Sequence, residues 1–192
     1  MVTRESIRRF HSVDDERGET ATPPVPTHDS DPLVRPIGYV EDDPVIRRIG
    51  DRDCFLGNRH AADPTIHAAN PTSHAADPTR HDRTFEFVLS ATSEPFPTTT
   101  HHRPLRDGPG NTWKAFERAV DTTRELFTRD GSVLVHCNAG ISRSATLLAT
   151  AIAAEEGRQL RDALDVVQRA RPLATPHPAL HRSAVVYLAA YG

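Results

Sequence analysis

Short apolar runs, divided by polar and proline-rich stretches, set the pattern of this chain. The runs at residues 45–49 and 54–56 predict two short strands, and "FLGN" turns the chain after them. "TFEFVLSA", residues 84–91, is β-branched and aromatic and predicts a strand that "EPFP" breaks. "TTTHHRPL", residues 98–105, predicts a second strand, polar on one face, with His101 and His102 in it. "RDGPGN", residues 106–111, reads as a glycine-rich loop, with Asn111 as the N-cap of the helix that follows. In that helix Trp113, Phe116, Ala119, Val120, Leu126 and Phe127 recur at helical spacing. "RDGS" then turns into the apolar run "VLVH", residues 133–136. The next helix ends near Gly157, a natural C-cap. Another spans 160–171 and stops at Pro172, and a last one covers 178–190. Strands that alternate with helices predict an α/β layer fold.

Two stretches stand outside this pattern. Residues 1–33 carry proline and charge without apolar period, which predicts a disordered tail. Order is expected from about residue 34. "HAADPTI", "HAANPTS" and "HAADPTR" begin at His60, His67 and His74, a period of seven that His81 continues. Pro64, Pro71 and Pro78 exclude a heptad helix, and Asp/Asn-Pro-Thr is turn chemistry. The segment 60–80 therefore reads as a repeat-expanded loop with solvated histidines. A metal site would want ligands at closer spacing.

A chain of 192 residues with a net charge of −3 suits one domain plus a tail, with no global attraction to nucleic acid or anionic membrane. Lys114 is the single lysine among 23 basic residues. No run approaches the roughly 18 apolar residues of a membrane span. The charged N-terminus "MVTRESIRRFHS" lacks the apolar stretch of a signal peptide, so a cytoplasmic location is expected. Two cysteines make no disulfide framework. Cys54 reads as a core residue, and a reducing compartment would keep Cys137 free.

Chemistry concentrates in "VLVHCNAGISRSAT", residues 133–146. Cys137 leaves a strand and precedes a helix N-terminus, and Arg143 follows it by six residues. The partial positive charge of the helix end and the full charge of the arginine both favour a thiolate. The backbone N–H groups of Asn138, Ala139, Gly140, Ile141 and Ser142 would curl into an anion nest. Arg143 would close it with a fork that matches two phosphate oxygens. A tetrahedral dianion held over a thiolate invites attack of sulfur on phosphorus and a cysteinyl-phosphate intermediate. Ser144 is placed to hydrogen-bond the sulfur when it leaves, and His136 reads as a supporting residue that fixes the loop. The leaving alcohol needs a proton. Asp107, on a glycine-rich loop 30 residues before Cys137, is the candidate general acid. Asp130 sits at the wrong end of the strand, and Asp63 and Asp77 sit in the repeat.

With these residues in view, "HCNAGISRSAT" resembles the signature HCxxGxxR followed by Ser or Thr of the cysteine-dependent dual-specificity protein phosphatases. The resemblance extends over residues 34–191 and includes "FLGN", Asp107 in the general-acid loop and "RARP" at 169–172. It implies a single protein tyrosine phosphatase-like domain, a central and mostly parallel sheet flanked by helices. It also implies phosphoprotein substrates and no metal or other cofactor. Carried over, Cys137 is the nucleophile, Arg143 the phosphate clamp, Ser144 the leaving-group assistant and Asp107 the general acid. The repeat occupies the segment where the family usually has a short helix that can border the substrate cleft.

Other phosphate chemistries fit less well. A phosphoinositide phosphatase favours lysines within the loop, and none lies between Cys137 and Arg143. An RNA 5′-triphosphatase should show a basic path, which the net charge does not offer. A low-molecular-weight phosphatase or arsenate reductase carries its cysteine loop near the N-terminus. A phosphate-binding module without turnover would usually have lost the cysteine, the arginine or the acid. No nucleic-acid or membrane partner is expected, and oligomeric state is not legible.

Overall fold

The computed structural model describes residues 40–63 and 83–192. The tail expected over 1–33 and the repeat beyond Asp63 lie outside the described residues. Ten elements follow in order: β1 (Ile46–Arg48), β2 (Cys54–Gly57), a 3₁₀ turn (Arg59–Ala62), β3 (Phe87–Ser90), β4 (His101–His102), α1 (Trp113–Phe127), β5 (Val133–His136), α2 (Arg143–Glu156), α3 (Leu160–Ala170) and α4 (Pro178–Tyr191).

The strands form one five-stranded sheet in the order β1-β2-β5-β3-β4. Only the β1–β2 pair is antiparallel. β5 lies at the centre, bonded to β2 and β3, and every one of its residues is buried. A strand buried on both faces needs an almost wholly apolar run, which Val133, Leu134 and Val135 provide, with the buried His136 ring at its end. Alternation sorts the side chains. Leu56, Leu89, Val133 and Val135 face the layer of α1–α4, against Phe116, Val120, Leu147, Leu148 and Ile152. Phe55, Val88 and Leu134 face the other way and pack with Ala61 and Ala62 of the 3₁₀ turn and with Phe96.

The helices differ in how they are held. α1 buries Phe116, Ala119, Val120, Thr123 and Leu126, one stripe at helical spacing, and leaves its charged face in water. Phe116, Val120 and Leu126 each contribute roughly 1.5–3 kcal/mol on full burial, far more than helix propensity supplies. α2 is buried on every side from Arg143 to Ala153. It ends at Gly157 in the left-handed region, φ 59°, as the sequence predicts.

Several boundaries differ from expectation. The strand predicted over 98–105 is only His101–His102, an edge pair bonded to Leu89 and Ser90. The strand predicted over 84–91 pairs only from Phe87 to Ser90. The N-cap of α1 is Thr112, whose Oγ1 accepts from the Ala115 N–H at 3.2 Å, and not Asn111. Asn111 instead closes the preceding loop. The first four residues of the first repeat unit, His60–Asp63, fall in the 3₁₀ turn and its C-cap, and His60 is buried there at 6% exposure, where the sequence predicts a solvated histidine.

Candidate active site

β5 delivers Cys137 to the C-terminal edge of the sheet, where the chain leaves for α2. The connection is tight because it leans on β2. The Cys137 N–H donates to the Gly57 carbonyl at 3.3 Å, and the Arg59 N–H donates to the Asn138 carbonyl at 3.0 Å. Gly140 has φ 64°, and a Cβ there would stand 2.9 Å from the Gly57 carbonyl oxygen. Glycine is required twice over, by conformation and by space. Gly57 is equally confined, since its own Cβ would meet Leu134 at 2.8 Å and Ala61 at 2.9 Å. Asn58 pins this corner. Its Oδ1 accepts from the N–H of Val45 (3.0 Å) and of Ala61 (3.2 Å), and its Nδ2 donates to the carbonyls of Asp43 (2.8 Å) and Glu41 (3.3 Å).

Within the loop, the N–H groups of Asn138–Ser142 make no hydrogen bond to a carbonyl or side-chain oxygen among the described residues. Ser142 occupies the N-cap position of α2, yet its Oγ accepts from the His177 N–H at 2.9 Å rather than from its own helix. The helix N-terminus thus keeps donors available for an anion.

Cys137 is 2% exposed, and its sulfur lies 3.3 Å from Ser144 Oγ. Burial pushes the thiol up. The Arg143 charge, the Ser144 hydroxyl and the backbone N–H groups of Ser144 and Ile141 outweigh it and hold Cys137 below the ordinary thiol value. Cys54 is the contrast. It is also buried, but burial dominates there and its pKa rises to about 12. Cys54 pairs in register with Val133, while Cys137 follows His136 at the far end of the same strand. Four residues of strand separate them by roughly 13 Å, beyond the reach of a disulfide.

Arg143 is 8% exposed. Its Nη1 donates to the carbonyls of Ala91 at 3.1 Å and Leu105 at 3.2 Å, and its buried Nε has no hydrogen-bond partner. A buried donor without a partner costs free energy, and an oxyanion over the loop would relieve that cost. Leu105 is two residues before Asp107, so the arginine joins the candidate acid loop to the sheet. Asp107 itself is exposed. Its loop is closed by Asn111: Oδ1 accepts from the Arg106 N–H at 2.8 Å, and Nδ2 donates to the carbonyls of Arg106 (2.9 Å) and Gly108 (3.1 Å).

The structure therefore brings Cys137, Asn138–Ser142, Arg143 and Ser144 into one cluster and sets the Asp107 loop against it through Leu105. His136 supports the cluster by packing. Its ring stands edge-on to Phe96, with centroids 5.4 Å apart. Neither ring nitrogen makes a geometrically sound hydrogen bond, although the Cys137 backbone lies close enough to favour the charged form. Burial dominates, aided by the Arg143 charge, and lowers its pKa to about 4. His102 Nε2 donates to the Thr92 carbonyl at 3.0 Å, and His101 Nδ1 is bonded to Thr100. Sequence reasoning missed Gly57, Thr175 and His177. Thr175 donates its N–H to the Ile141 carbonyl at 2.8 Å, a backbone contact with no residue-type signal. His177 precedes Pro178, and a polar residue before a helix-opening proline is the signal that marks it.

Among the described residues no group of three or more His, Cys, Asp and Glu side chains is arranged to hold a metal, and no helix is long and apolar enough to cross a membrane.

Residues 55–188 match the family model of the dual specificity phosphatase catalytic domain. Among curated proteins, dual specificity protein phosphatase 1 of Arabidopsis thaliana is 39% identical over 67 residues, 35% of this chain and 34% of that protein. Dual specificity protein phosphatase 15 of Homo sapiens is 33% identical over 69 residues, 36% of this chain and 23% of that protein. The matched segment thus spans between about a quarter and a third of those relatives. The crystal structure of human DUSP28 superposes with a TM-score of 0.56 at 21% identity, over 76% of this chain and 96% of that one.

Proposed function

The chain belongs to the dual specificity phosphatase catalytic-domain family, and from that premise we propose that it is a protein phosphatase acting on phosphotyrosine and on phosphoserine or phosphothreonine through a cysteinyl-phosphate. The observation that carries this reading is the Cys137 sulfur, 3.3 Å from Ser144 Oγ, at the head of a loop whose N–H groups from Asn138 to Ser142 have no oxygen partner among the described residues. In the first step the thiolate attacks phosphorus and the phosphoester P–O bond breaks. Asp107 gives its proton to the leaving oxygen. The loop N–H groups and Arg143 hold the equatorial oxygens while charge develops on them. In the second step water attacks the cysteinyl-phosphate, Asp107 accepts its proton, and the Ser144 hydroxyl stabilises the departing thiolate. Inorganic phosphate leaves and the enzyme is restored.

No step calls on a metal or organic cofactor, and the substrates are phosphoproteins. We assign the catalytic unit to residues 34–192 and residues 1–33 to a tail. Both described cysteines are free, which suits a reducing, cytoplasmic setting.

Phosphate release from matched phosphotyrosine and phosphothreonine peptides tests the assignment. Release should vanish in Cys137→Ser and slow strongly in Asp107→Asn. Tight peptide binding without release by the unmodified protein would instead indicate a phosphate-binding module, and neither release nor binding would point to RNA or lipid phosphates.

A further inference from the structure

His177 lies between α3 and α4; its carbonyl accepts from the His181 N–H within α4 at 2.9 Å, and its other three polar groups reach three different parts of the protein. Its backbone N–H donates to Ser142 Oγ at 2.9 Å, in the phosphate loop next to Arg143. Its Nδ1 accepts from the Ala179 N–H at 3.0 Å and so caps α4. Because Nδ1 is an acceptor, the neutral ring carries its proton on Nε2. That nitrogen lies over Gly108: a Cβ on Gly108 would stand 3.9 Å from it. Gly108 is buried, and it follows Asp107 directly.

The acid loop thus has three supports. Leu105 is tied to Arg143 at its start, and Asn111 closes its far end. Between them, His177 backs the Asp107–Gly108 peptide. The same residue is anchored to the phosphate loop, directly through Ser142 and again through Thr175, which donates to Ile141. A proton donor works only within hydrogen-bond reach of the leaving oxygen, so a loop aspartate needs a backing that moves with the phosphate site. We propose that His177 is a positioning residue for the general acid, holding the Asp107–Gly108 segment at a fixed height over the phosphate loop. This deepens the phosphatase reading and rests on Asp107 as the proton donor.

The test separates capping from positioning. Asn in place of histidine keeps an N-cap acceptor for Ala179 but is too short to reach Gly108. kcat/KM is measured for His177→Asn across a series of aryl phosphates, from 4-nitrophenyl phosphate, whose phenol leaves without help, to phenyl phosphate, whose phenol needs the acid. Thermal melting is followed in parallel, with His177→Ala as the variant that loses cap and reach together. The proposal expects His177→Asn to melt with the parent. It should lose little on 4-nitrophenyl phosphate and about tenfold on phenyl phosphate, part of the roughly 10²–10⁴ that a general acid contributes. The slope of log kcat/KM against phenol pKa steepens accordingly. An unchanged slope, whether both esters fall together or neither falls, overturns the positioning role and leaves the phosphatase reading standing. No turnover of either ester by the unmodified protein would remove both.

Discussion

Arg143 and Leu105 are 38 residues apart in sequence, and the Arg143 Nη1 donates to the Leu105 carbonyl at 3.2 Å. The same nitrogen donates to the Ala91 carbonyl at 3.1 Å, beyond the end of β3. The proposed phosphate clamp is therefore also the tie that holds the start of the acid loop to the sheet. On the proposed mechanism, substrate affinity and proton donation would both depend on one guanidinium.

Arg143→Lys keeps the charge but loses the planar fork and its several fixed donors. We expect kcat/KM on a phosphopeptide to fall by about 10²–10³, the range for removing one preorganised donor to a transition-state oxyanion. Amide exchange over residues 105–110 should rise as the tie is lost. Parent-like kinetics in this variant would mean that a point charge is enough.

Gly140→Ala adds a methyl group 2.9 Å from the Gly57 carbonyl oxygen, at a residue with φ 64°. The conformation alone costs about 1–2 kcal/mol for a residue with a Cβ. The neighbour is backbone and cannot rotate away. A lower urea midpoint together with loss of phosphatase activity is the expected result. A variant with both unchanged would show that the loop can take up another path.

Iodoacetamide should distinguish the two thiols. Both thiols are almost fully buried, 2% exposed at Cys137 and 3% at Cys54, so thiolate fraction separates them: Cys137, held below the ordinary thiol value, reacts at lower pH than Cys54, which burial raises to about 12. Peptide mapping by mass spectrometry reads both. Ser144→Ala removes a hydrogen bond to the sulfur and should move the pH midpoint of Cys137 alkylation upward. The linkage has opposite signs at the two sites. The depressed Cys137 contributes stability above the unfolded thiol pKa, lost as pH falls through its folded value. The raised Cys54 contributes stability below the unfolded pKa, lost as pH rises toward about 12. Equal labelling of both cysteines in the native protein would contradict the assignment.

Asn58→Ala strips four hydrogen bonds at the corner that supports the phosphate loop and leaves the buried Val45 N–H without its acceptor. A loss of about 2–6 kcal/mol in urea unfolding is expected, from four bonds at roughly 0.5–1.5 kcal/mol each. A change under 0.5 kcal/mol would mean that water replaces the side chain without cost.

The sequence made β5, most of the helical stripe of α1 and the stop at Gly157 legible because each rests on local pattern: a run of three aliphatic residues, a spacing of three and four, a glycine past the last turn; Trp113, which the spacing puts on that stripe, is exposed. It also brought out the loop from Cys137 to Ser144, where residue types and spacing carry the chemistry. What it concealed was set by partners far along the chain. The predicted strand at 98–105 shrinks to His101–His102 because it sits at the sheet edge, where pairing depends on β3 and not on its own composition. Asn111 and Thr112 are both good caps, and the choice fell to Thr112 because Asn111 is occupied with Arg106 and Gly108. Gly57, the Leu105 carbonyl and His177 meet the site only after folding.

The central claim is that Cys137 takes the phosphoryl group. Asp107→Asn, mixed with 4-nitrophenyl phosphate, should form the cysteinyl-phosphate but lack the base that activates water for the second step. Acid quenching followed by peptide mass spectrometry should then place one phosphoryl group on the Cys137 peptide, and none on Cys54. A phosphoryl group on another residue, or steady turnover of the ester by Cys137→Ser, would contradict the account.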